Sequence, residues 1–227
     1  MPTPDRGMLD GMWNVEVVRG SAEDFHRREL PGQLEPTLWW FEVESFAIVL
    51  GSSQPIEHLD LGACARDGCA VVRRRSGGGA VLMRPQESHW VDVLLPRDDP
   101  RWTDDVSASA WWLGEAWSRA LAGLGVSSTT VHHGPMVTTP WSSRLCFAGV
   151  GGGEVVAYDG SKLVGISQRR VRAGARFQCI VHRRWNPEAN ARLFSPPGPT
   201  PGDLARLAAE VTCSAADLRA ALRAELA

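Results

Sequence analysis

The sequence has no excess of one charge. Its 227 residues carry 24 basic and 26 acidic side chains, for a formal net charge of −2. A protein that binds nucleic acid through phosphate contacts usually has a basic excess, so the charge balance argues against that class. Apolar residues make up 44% of the chain and charged residues 22%, which is typical of a globular protein with a buried core.

Long apolar runs and a targeting segment are also missing. No apolar run approaches the roughly 20 residues that a transmembrane helix needs. The first residues, Met1 to Asp5, lack the charged and apolar regions of a signal peptide. Five cysteines are an odd number in a chain of this length, which argues against a secreted disulfide scaffold. We therefore expect a cytoplasmic protein without a membrane segment, with residues 1–227 forming a single domain.

Lysine is almost absent from the sequence. Among the 24 basic residues, Lys162 is the only lysine and all others are arginines. The two cations are not equivalent, because the lysine ammonium is a compact point charge whereas arginine is a planar fork. A lone lysine could also survive on the surface by chance, so its surroundings decide whether it has a function.

Hydrophobic periodicity predicts an α+β fold. We expect strands at 13–18, 38–43, 47–50, 70–73, 80–83, 89–95, 154–158, 162–166 and 176–181, and helices at 59–66, 107–124 and after Ser214. The Asp159-Gly160 pair predicts a hairpin with a type I′ turn. Because strands and helices are segregated, we expect a mixed, largely antiparallel sheet packed with helices.

A glycine-rich segment separates two of the expected strands. Gly77 to Gly79 follow Arg73, Arg74, Arg75 and Ser76. Glycines expose backbone N–H groups that an anion or a thin acyl chain can approach closely. The preceding arginines can donate forked hydrogen bonds to phosphate or carboxylate oxygens. A glycine-rich turn beside a charged strand is an equally good interpretation of this segment alone.

Two other residues could carry chemistry. The turn places Lys162 near the start of a returning strand, on the face opposite Leu163 and Gly165 if the strand is regular. A strand holds a charge rigidly, and an ammonium suits phosphate and acyl-carbonyl oxygens. Cys146 lies between two apolar residues, as inert core cysteines do. Cys146 becomes a nucleophile if a nearby cation such as Lys162 stabilises the thiolate form of its side chain.

The sequence predicts no metal site. Cys64 and Cys69 are separated by four residues and have no matching second pair, which is poor zinc spacing. His132 and His133 are adjacent and would point to opposite faces of a strand.

The glycine and lysine segments together resemble the lipoate–protein ligase A family of the biotin/lipoate ligase and octanoyltransferase superfamily. The glycine signature of the family is matched by Arg73, Arg74, Ser76, Gly77, Gly78, Gly79, Ala80 and Val81. The lysine signature is matched by Gly160, Lys162, Gly165, Ser167, Gln168 and Arg169. Gly51 to Gln54 is similar to a further family segment. The resemblance covers about residues 35 to 185, and short C-terminal helices would occupy 201–227.

The resemblance implies an enzyme that attaches a lipoyl or octanoyl group to a lysine of a lipoyl carrier domain. The carrier would belong to a 2-oxoacid dehydrogenase or a glycine cleavage protein. A ligase of this family uses ATP with Mg²⁺ and free lipoate to form an acyl adenylate. By resemblance, Gly77 to Gly79 would line the acyl and phosphate groove beside Arg73 and Arg74, and Lys162 would hold the acyl carbonyl and phosphate oxygens. The implied substrate and nucleotide site also includes Ser76, Gly165, Ser167 and Gln168.

Departures from the family pattern leave alternatives open. Met83-Arg84 replaces a frequent His-Asp pair, and Cys179-Ile180 replaces a His-Gly pair. The C-terminal helices are smaller than the accessory domain of many adenylating ligases, so a separate accessory chain is one option. Some relatives are ATP-independent octanoyltransferases that carry the acyl group as a thioester on the cysteine of a Cys-Phe pair, and Cys146-Phe147 is similarly placed. A third interpretation is a non-catalytic domain that binds lipoyl groups or nucleotide.

Overall fold

The computed structural model describes residues 13–227, so the prediction for Met1 to Asp5 lies outside the described residues. The strands in this range are β1 (Asn14–Gly20), β2 (Thr37–Val43), β3 (Ala47–Leu50), β4 (Ala70–Arg73), β5 (Val81–Met83), β6 (Ser88–Pro96), β7 (Thr130–Val131), β8 (Val155–Val156), β9 (Lys162–Val171) and β10 (Gly174–His182). The α-helices are α1 (Ala22–Arg27), α2 (Leu61–Arg66), α3 (Trp111–Gly123), α4 (Pro187–Ala191), α5 (Pro201–Leu204) and α6 (Ala215–Leu226). Short 3-10 helices cover Ile56–His58 and Cys146–Ala148.

The strands form two sheets. The larger has seven strands in the order β1-β2-β6-β10-β9-β8-β7, and the smaller has three in the order β4-β3-β5. The β1–β2 and β3–β4 pairs are parallel, and the other pairs are antiparallel. The prediction of an α+β fold with a mixed, largely antiparallel sheet is confirmed.

Strand β2 illustrates how the larger sheet separates two hydrophobic cores. Successive side chains of a strand point to opposite faces of its sheet. Trp39 and Phe41 pack in the core shared with the smaller sheet, whereas Leu38 and Trp40 pack in the core covered by α3 and α6. Within residues 13–227, no helix is both long and apolar enough to cross a bilayer.

Helix α3 begins later than its hydrophobic pattern predicts. The expected range was 107–124, and the helix covers Trp111–Gly123. The carbonyl oxygen of Val106 accepts hydrogen bonds from Ser109 Oγ and Gln168 Nε2, both at 2.8 Å. This tertiary contact holds the segment before the helix in a non-helical turn. The buried side chains of Leu113, Trp117 and Leu121 confirm the prediction that this helix presents an apolar face to the core.

Strand β9 is longer than predicted. Its expected range was 162–166, because the apolar pattern ends at Ile166 and the polar segment Ser167 to Arg170 follows. The structure continues the strand to Val171 through antiparallel pairing with β10. Backbone pairing to a central strand therefore fixes Ser167 and Gln168, which the hydrophobic pattern alone left outside any element.

Candidate active site

The glycine segment packs against the chain around Cys146. A Cβ atom at Gly79 would lie 2.5 Å from the carbonyl carbon of Leu145 and 2.8 Å from the backbone nitrogen of Cys146. The Ala80 N–H donates to the Arg144 carbonyl at 2.8 Å, and the Cys146 N–H donates to the Ala80 carbonyl at 2.9 Å. Two backbone segments can approach this closely only where no side chain intervenes. Gly79 thus allows the contact, and Cys146 is held beside the glycine loop.

Arg74 holds the glycine loop through its main chain, and Arg73 holds the neighbouring segment Gly51 to Gln54 in the same way. Arg74 is buried, and its guanidinium group donates to the carbonyls of Gly77 and Gly79 at 2.8 Å each and of Val49 at 3.2 Å. Burial lowers the pKa of Arg74 from its ordinary value. Arg73 donates to the carbonyls of Gly51 at 2.9 Å and Gln54 at 2.7 Å. Sequence reasoning expected donors for phosphate or carboxylate oxygens, but in this structure the two side chains serve backbone carbonyls.

The lone lysine is buried at the start of β9. Only 1% of the Lys162 side chain is exposed, and its Nζ lies 2.7 Å from Oε2 of Glu154. Lys162 Nζ also donates to the carbonyl oxygen of Cys146 at 2.9 Å. The ammonium therefore lies next to the main chain of Cys146, on the groove lined by the three glycines.

A bulge in β9 sets the direction of Lys162. Val155 pairs with Val164 and Val156 pairs with Lys162, which leaves Leu163 as an extra residue. Lys162 Nζ lies 5.2 Å from the ring centroid of Phe147, and a Cβ at Gly165 would lie 3.3 Å from the same ring. Lys162 and Gly165 were expected on opposite faces only if the strand is regular, and the bulge between them removes that condition.

The turn before Lys162 also differs from the predicted type. Gly160 has φ of +84°, but Asp159 is not among the described residues with positive φ. A type I′ turn needs positive φ at both central residues, so that prediction is wrong. Asp159 Oδ1 instead accepts a hydrogen bond from the Ser161 backbone at 3.0 Å, and this local bond favours the ordinary backbone region at Asp159.

Two spaces in the protein meet at Cys146. An apolar cavity lies between the sheets, and its walls include Val49, Val81, Met83, Trp90 and Ile180. A groove is lined by Gly77, Gly78, Gly79, Glu154, Lys162 and Gln168. Half-buried Cys146 and Ser167 line both spaces. Met83 and Ile180, at the two departures from the family motifs, thus contribute to the apolar wall, whereas Cys179 is buried in the other core.

Polar side chains tie the glycine loop to the larger sheet. Ser76 Oγ lies 3.1 Å from Ser167 Oγ and donates to Gln178 Oε1 at 2.9 Å. Gln178 Nε2 is 3.3 Å from Nδ1 of His26. Burial, with a smaller effect of the nearby Arg176 and Arg74, lowers the pKa of His26 to about 3. This part of the cavity wall therefore carries neutral hydrogen-bonding groups at neutral pH.

Gln168 contacts the segment before α3. Its Oε1 accepts from Ser109 Oγ at 2.9 Å, and its Nε2 donates to the Val106 carbonyl. Gln168 and Gly165 both line the site that sequence reasoning expected, Gly165 in the cavity and Gln168 in the groove. Of the predicted site residues, Arg73 and Ser76 line neither space, and the others line the cavity, the groove or both.

Glu154 is a residue that sequence reasoning missed. Its Oε2 accepts a hydrogen bond from the Gly151 N–H at 2.7 Å, and its Oε1 accepts one from the Ile166 N–H at 3.0 Å. It is the only acidic residue between Arg144 and Asp159, and it lies eight positions before the only lysine. A search for the partner of a buried lysine could have found it, because an unpaired buried charge is strongly unfavourable. Among residues 13–227, no group of three or more His, Cys, Asp or Glu side chains could hold a metal ion.

Comparison with solved structures shows the fold. A two-part lipoate protein ligase from Thermoplasma acidophilum, solved in a study with its E2 lipoyl domain, has a TM-score of 0.70 at 16% identity over 94% of this chain and 82% of its own. A lipoate-protein ligase A bound with ATP has a TM-score of 0.70 at 18% identity over 93% of this chain and 82% of its own. A T. acidophilum protein solved with bound lipoic acid matches at 17% identity, with a TM-score of 0.70 over 94% and 84%. The predicted biotin/lipoate ligase catalytic fold is therefore confirmed.

The family is shown by a sequence model. The model of the lipoyl protein ligase A/B catalytic domain matches residues 21–219, which include the glycine loop, Cys146, Glu154 and Lys162. No curated protein matches the chain. The match covers most of the 227 residues, and the resemblance read from the two motifs is confirmed: the chain belongs to the lipoyl protein ligase A/B catalytic-domain family.

Proposed function

We propose that this protein transfers an octanoyl or lipoyl group to a lysine of a lipoyl carrier domain, and that Cys146 carries the acyl group as a thioester. The observation that supports this proposal is the position of Cys146, which lines both the apolar cavity and the groove of Lys162. An eight-carbon chain requires an apolar space, and ligand sites combine such a space with a few polar groups. An acyl group on Cys146 would have its chain in the cavity and its carbonyl beside the groove.

The proposed reaction has two balanced steps. The Cys146 sulfur attacks the carbonyl of an acyl thioester donor, the new carbon–sulfur bond forms, and the donor leaves as a thiol that takes the proton of Cys146. The amine of the carrier lysine then attacks the Cys146 thioester, an amide forms, and the proton released by the amine returns to the Cys146 sulfur. Both steps pass through a tetrahedral oxyanion. Lys162 would stabilise that charge, since a preplaced cation is most effective where water is excluded.

The other residues would support this site. Gly77 and Gly78 would let the substrate approach the loop closely. Arg74 would keep this loop in place through its carbonyls, and Arg73 would do the same for the neighbouring segment after β3. Ser167 would be part of the polar wall of the cavity, and Ser76 would contact it through its hydroxyl group. Gly165 would leave room beside Phe147 for the acyl chain.

The charge of the groove favours a thioester over an acyl adenylate. The charged side chains that line the groove are Lys162 and Glu154, whose charges cancel. A triphosphate is normally held by an excess of positive charge with Mg²⁺. Mg²⁺ prefers carboxylate and phosphate oxygens, but both oxygens of Glu154 are already used by Lys162, Gly151 and Ile166. The groove residues therefore fit Mg²⁺ poorly.

An ATP-dependent lipoate ligase is the second candidate. A neighbour of the same fold is a lipoate-protein ligase A bound with ATP, and another is a ligase made of two parts. A separate accessory chain could supply the phosphate contacts that this groove does not provide. The same neighbours support a lipoyl domain as the acyl acceptor and lipoate as the alternative acyl group.

Intact mass spectrometry of a purified lipoyl domain tests the proposal. The chain is incubated with the domain and octanoyl-loaded acyl carrier protein without ATP, and in parallel with lipoate, ATP and Mg²⁺. We expect octanoylation of the domain in the first reaction, with an octanoyl adduct on Cys146. Cys146→Ser should abolish transfer. Lys162→Arg should lower the transfer rate by about 100-fold or more, because a guanidinium group cannot occupy the position of the ammonium.

A cysteine away from the site provides the matched control. Cys213 is half-buried, as Cys146 is. Because it lies away from the site, Cys213→Ser should leave the transfer rate unchanged. Octanoyl transfer by Cys146→Ser at the wild-type rate would exclude the thioester mechanism. Lipoylation that requires ATP and persists in Cys146→Ser would establish the ligase instead.

A further inference from the structure

We propose that Glu154 is a positioning residue that holds the Lys162 ammonium against the acyl site. This inference rests on the proposed function of Lys162 in acyl transfer. The Lys162 and Glu154 side chains are 1% and 5% exposed, and their charged atoms are 2.7 Å apart. Within the described part of the chain, Glu154 is the carboxylate that forms an ion pair with Lys162.

The carboxylate is itself fixed by the main chain on two sides. The Gly151 N–H donates to Oε2 at 2.7 Å, and the Ile166 N–H donates to Oε1 at 3.0 Å. Gly151 precedes β8, whereas Ile166 lies on β9 beyond the bulge. Glu154 therefore has little freedom to move, and its Oε2 defines one fixed position for the lysine nitrogen.

The ammonium is fixed from a second direction by Cys146. A lysine ammonium has three N–H donors, and two of them bind Glu154 Oε2 and the Cys146 carbonyl. One donor remains for an oxygen in the groove that Lys162 lines. The third N–H of the ammonium can thus donate a hydrogen bond from a fixed position to the oxyanion of the acyl group. This position lies next to Cys146, the residue proposed to carry the acyl group.

Glu154 is also the counter-ion of the buried Lys162 ammonium. An ammonium as buried as this one is unfavourable without a counter-ion. Burial and the charge of Lys162 lower the pKa of the nearby His182 to about 3, so His182 is neutral and adds no charge of its own. The cation that would stabilise the oxyanion therefore depends on the Glu154 carboxylate.

Kinetics of Glu154→Gln test the proposal. The amide keeps the shape of the side chain and can still accept from Ile166, but it carries no charge. We expect kcat for octanoyl transfer to fall by about 100-fold while KM for the lipoyl domain stays within about twofold. Glu154→Asp keeps the charge and should recover part of kcat. Glu115→Gln removes a carboxylate that pairs with His133 on the surface at 3.2 Å, and its kcat should not change.

A double variant separates positioning from folding. Lys162→Met with Glu154→Gln leaves no unpaired charge, so it should fold even if Glu154→Gln does not. If Glu154 acts through Lys162, the double variant is no slower than Lys162→Met alone. A further loss of tenfold or more in the double variant, or an unchanged kcat in Glu154→Gln, would overturn the proposal.

A measurement without turnover keeps this inference distinct from the proposed function. Because Lys162 is the only lysine, ¹⁵N-lysine labelling gives a single side-chain ammonium signal in an NMR spectrum. A buried, ion-paired ammonium exchanges its protons slowly, so we expect the signal in the wild type and its loss in Glu154→Gln. If the wild type transfers no acyl group but shows this pattern, the proposed function fails and the positioning of Lys162 stands. The same signal in both proteins would refute the positioning.

Discussion

The close contact between the glycine loop and the Cys146 segment makes Gly79→Ala the sharpest test of how the site is built. The new Cβ would lie 2.5 Å from the Leu145 carbonyl carbon and 2.6 Å from the Leu145 nitrogen. Carbon atoms normally stay about 3.5 Å or more apart, so the two segments must separate by about 1 Å. Both neighbouring atoms belong to the backbone and cannot move aside as a flexible side chain could.

The expected loss of stability follows from the bonds that join the segments. The hydrogen bonds from the Ala80 N–H to Arg144 and from the Cys146 N–H to Ala80, at 2.8 and 2.9 Å, would both lengthen. Each is worth about 1 kcal/mol, and residual strain adds to the total, so Gly79→Ala should destabilise the protein by about 2–4 kcal/mol. A shift of about 1 Å at Cys146 should also lower acyl transfer by about 100-fold.

Urea unfolding of two glycine variants measures this effect. Gly77 belongs to the same loop, but a Cβ there meets no atom within 4 Å. Gly77→Ala should therefore change the free energy of unfolding by no more than about 0.5 kcal/mol. If Gly79→Ala and Gly77→Ala unfold at the same urea concentration, the loop does not depend on this close approach and our reasoning is wrong.

Two further predictions concern buried polar groups. Arg74→Lys cannot reproduce three forked bonds to the carbonyls of Val49, Gly77 and Gly79, so urea unfolding should show a loss of about 2–3 kcal/mol; wild-type stability would contradict this. The pKa of His182 is lowered to about 3, mainly by burial, whereas it is about 6.5 in an unfolded chain, so the unfolded state binds more protons between these values and stability falls as the pH falls. From pH 7.5 to 5 this histidine should account for about 2 kcal/mol, and His182→Gln should remove that part of the pH dependence; an identical slope in both proteins would refute it.

The main features of the fold and the site could be predicted because they follow from local patterns. Apolar alternation predicted most strands, and helical spacing predicted α3 and α6. The motifs around Gly77 and Lys162 predicted the family, and the structure places residues of both on one groove. These patterns are local in the chain, so a single sequence contains them.

The remaining features depend on contacts between distant segments. Arg73 and Arg74 are charged donors in the sequence, but only the folded loop determines that backbone carbonyls accept their hydrogen bonds. The direction of Lys162 depends on the bulge at Leu163, which arises from pairing with β8. Glu154 was missed for the same reason, since the pairing of β8 with β9 brings it beside Lys162.

The burial of Lys162 has a consequence for side reactions. Activated acyl groups react with amines, so an enzyme that handles them risks modifying itself. The only side-chain amine of this chain is 1% exposed and paired with a carboxylate, and every other basic side chain apart from histidine is a guanidinium group. Because the chain has no second lysine, an acyl group that leaves the site finds no other side-chain amine of this chain to modify.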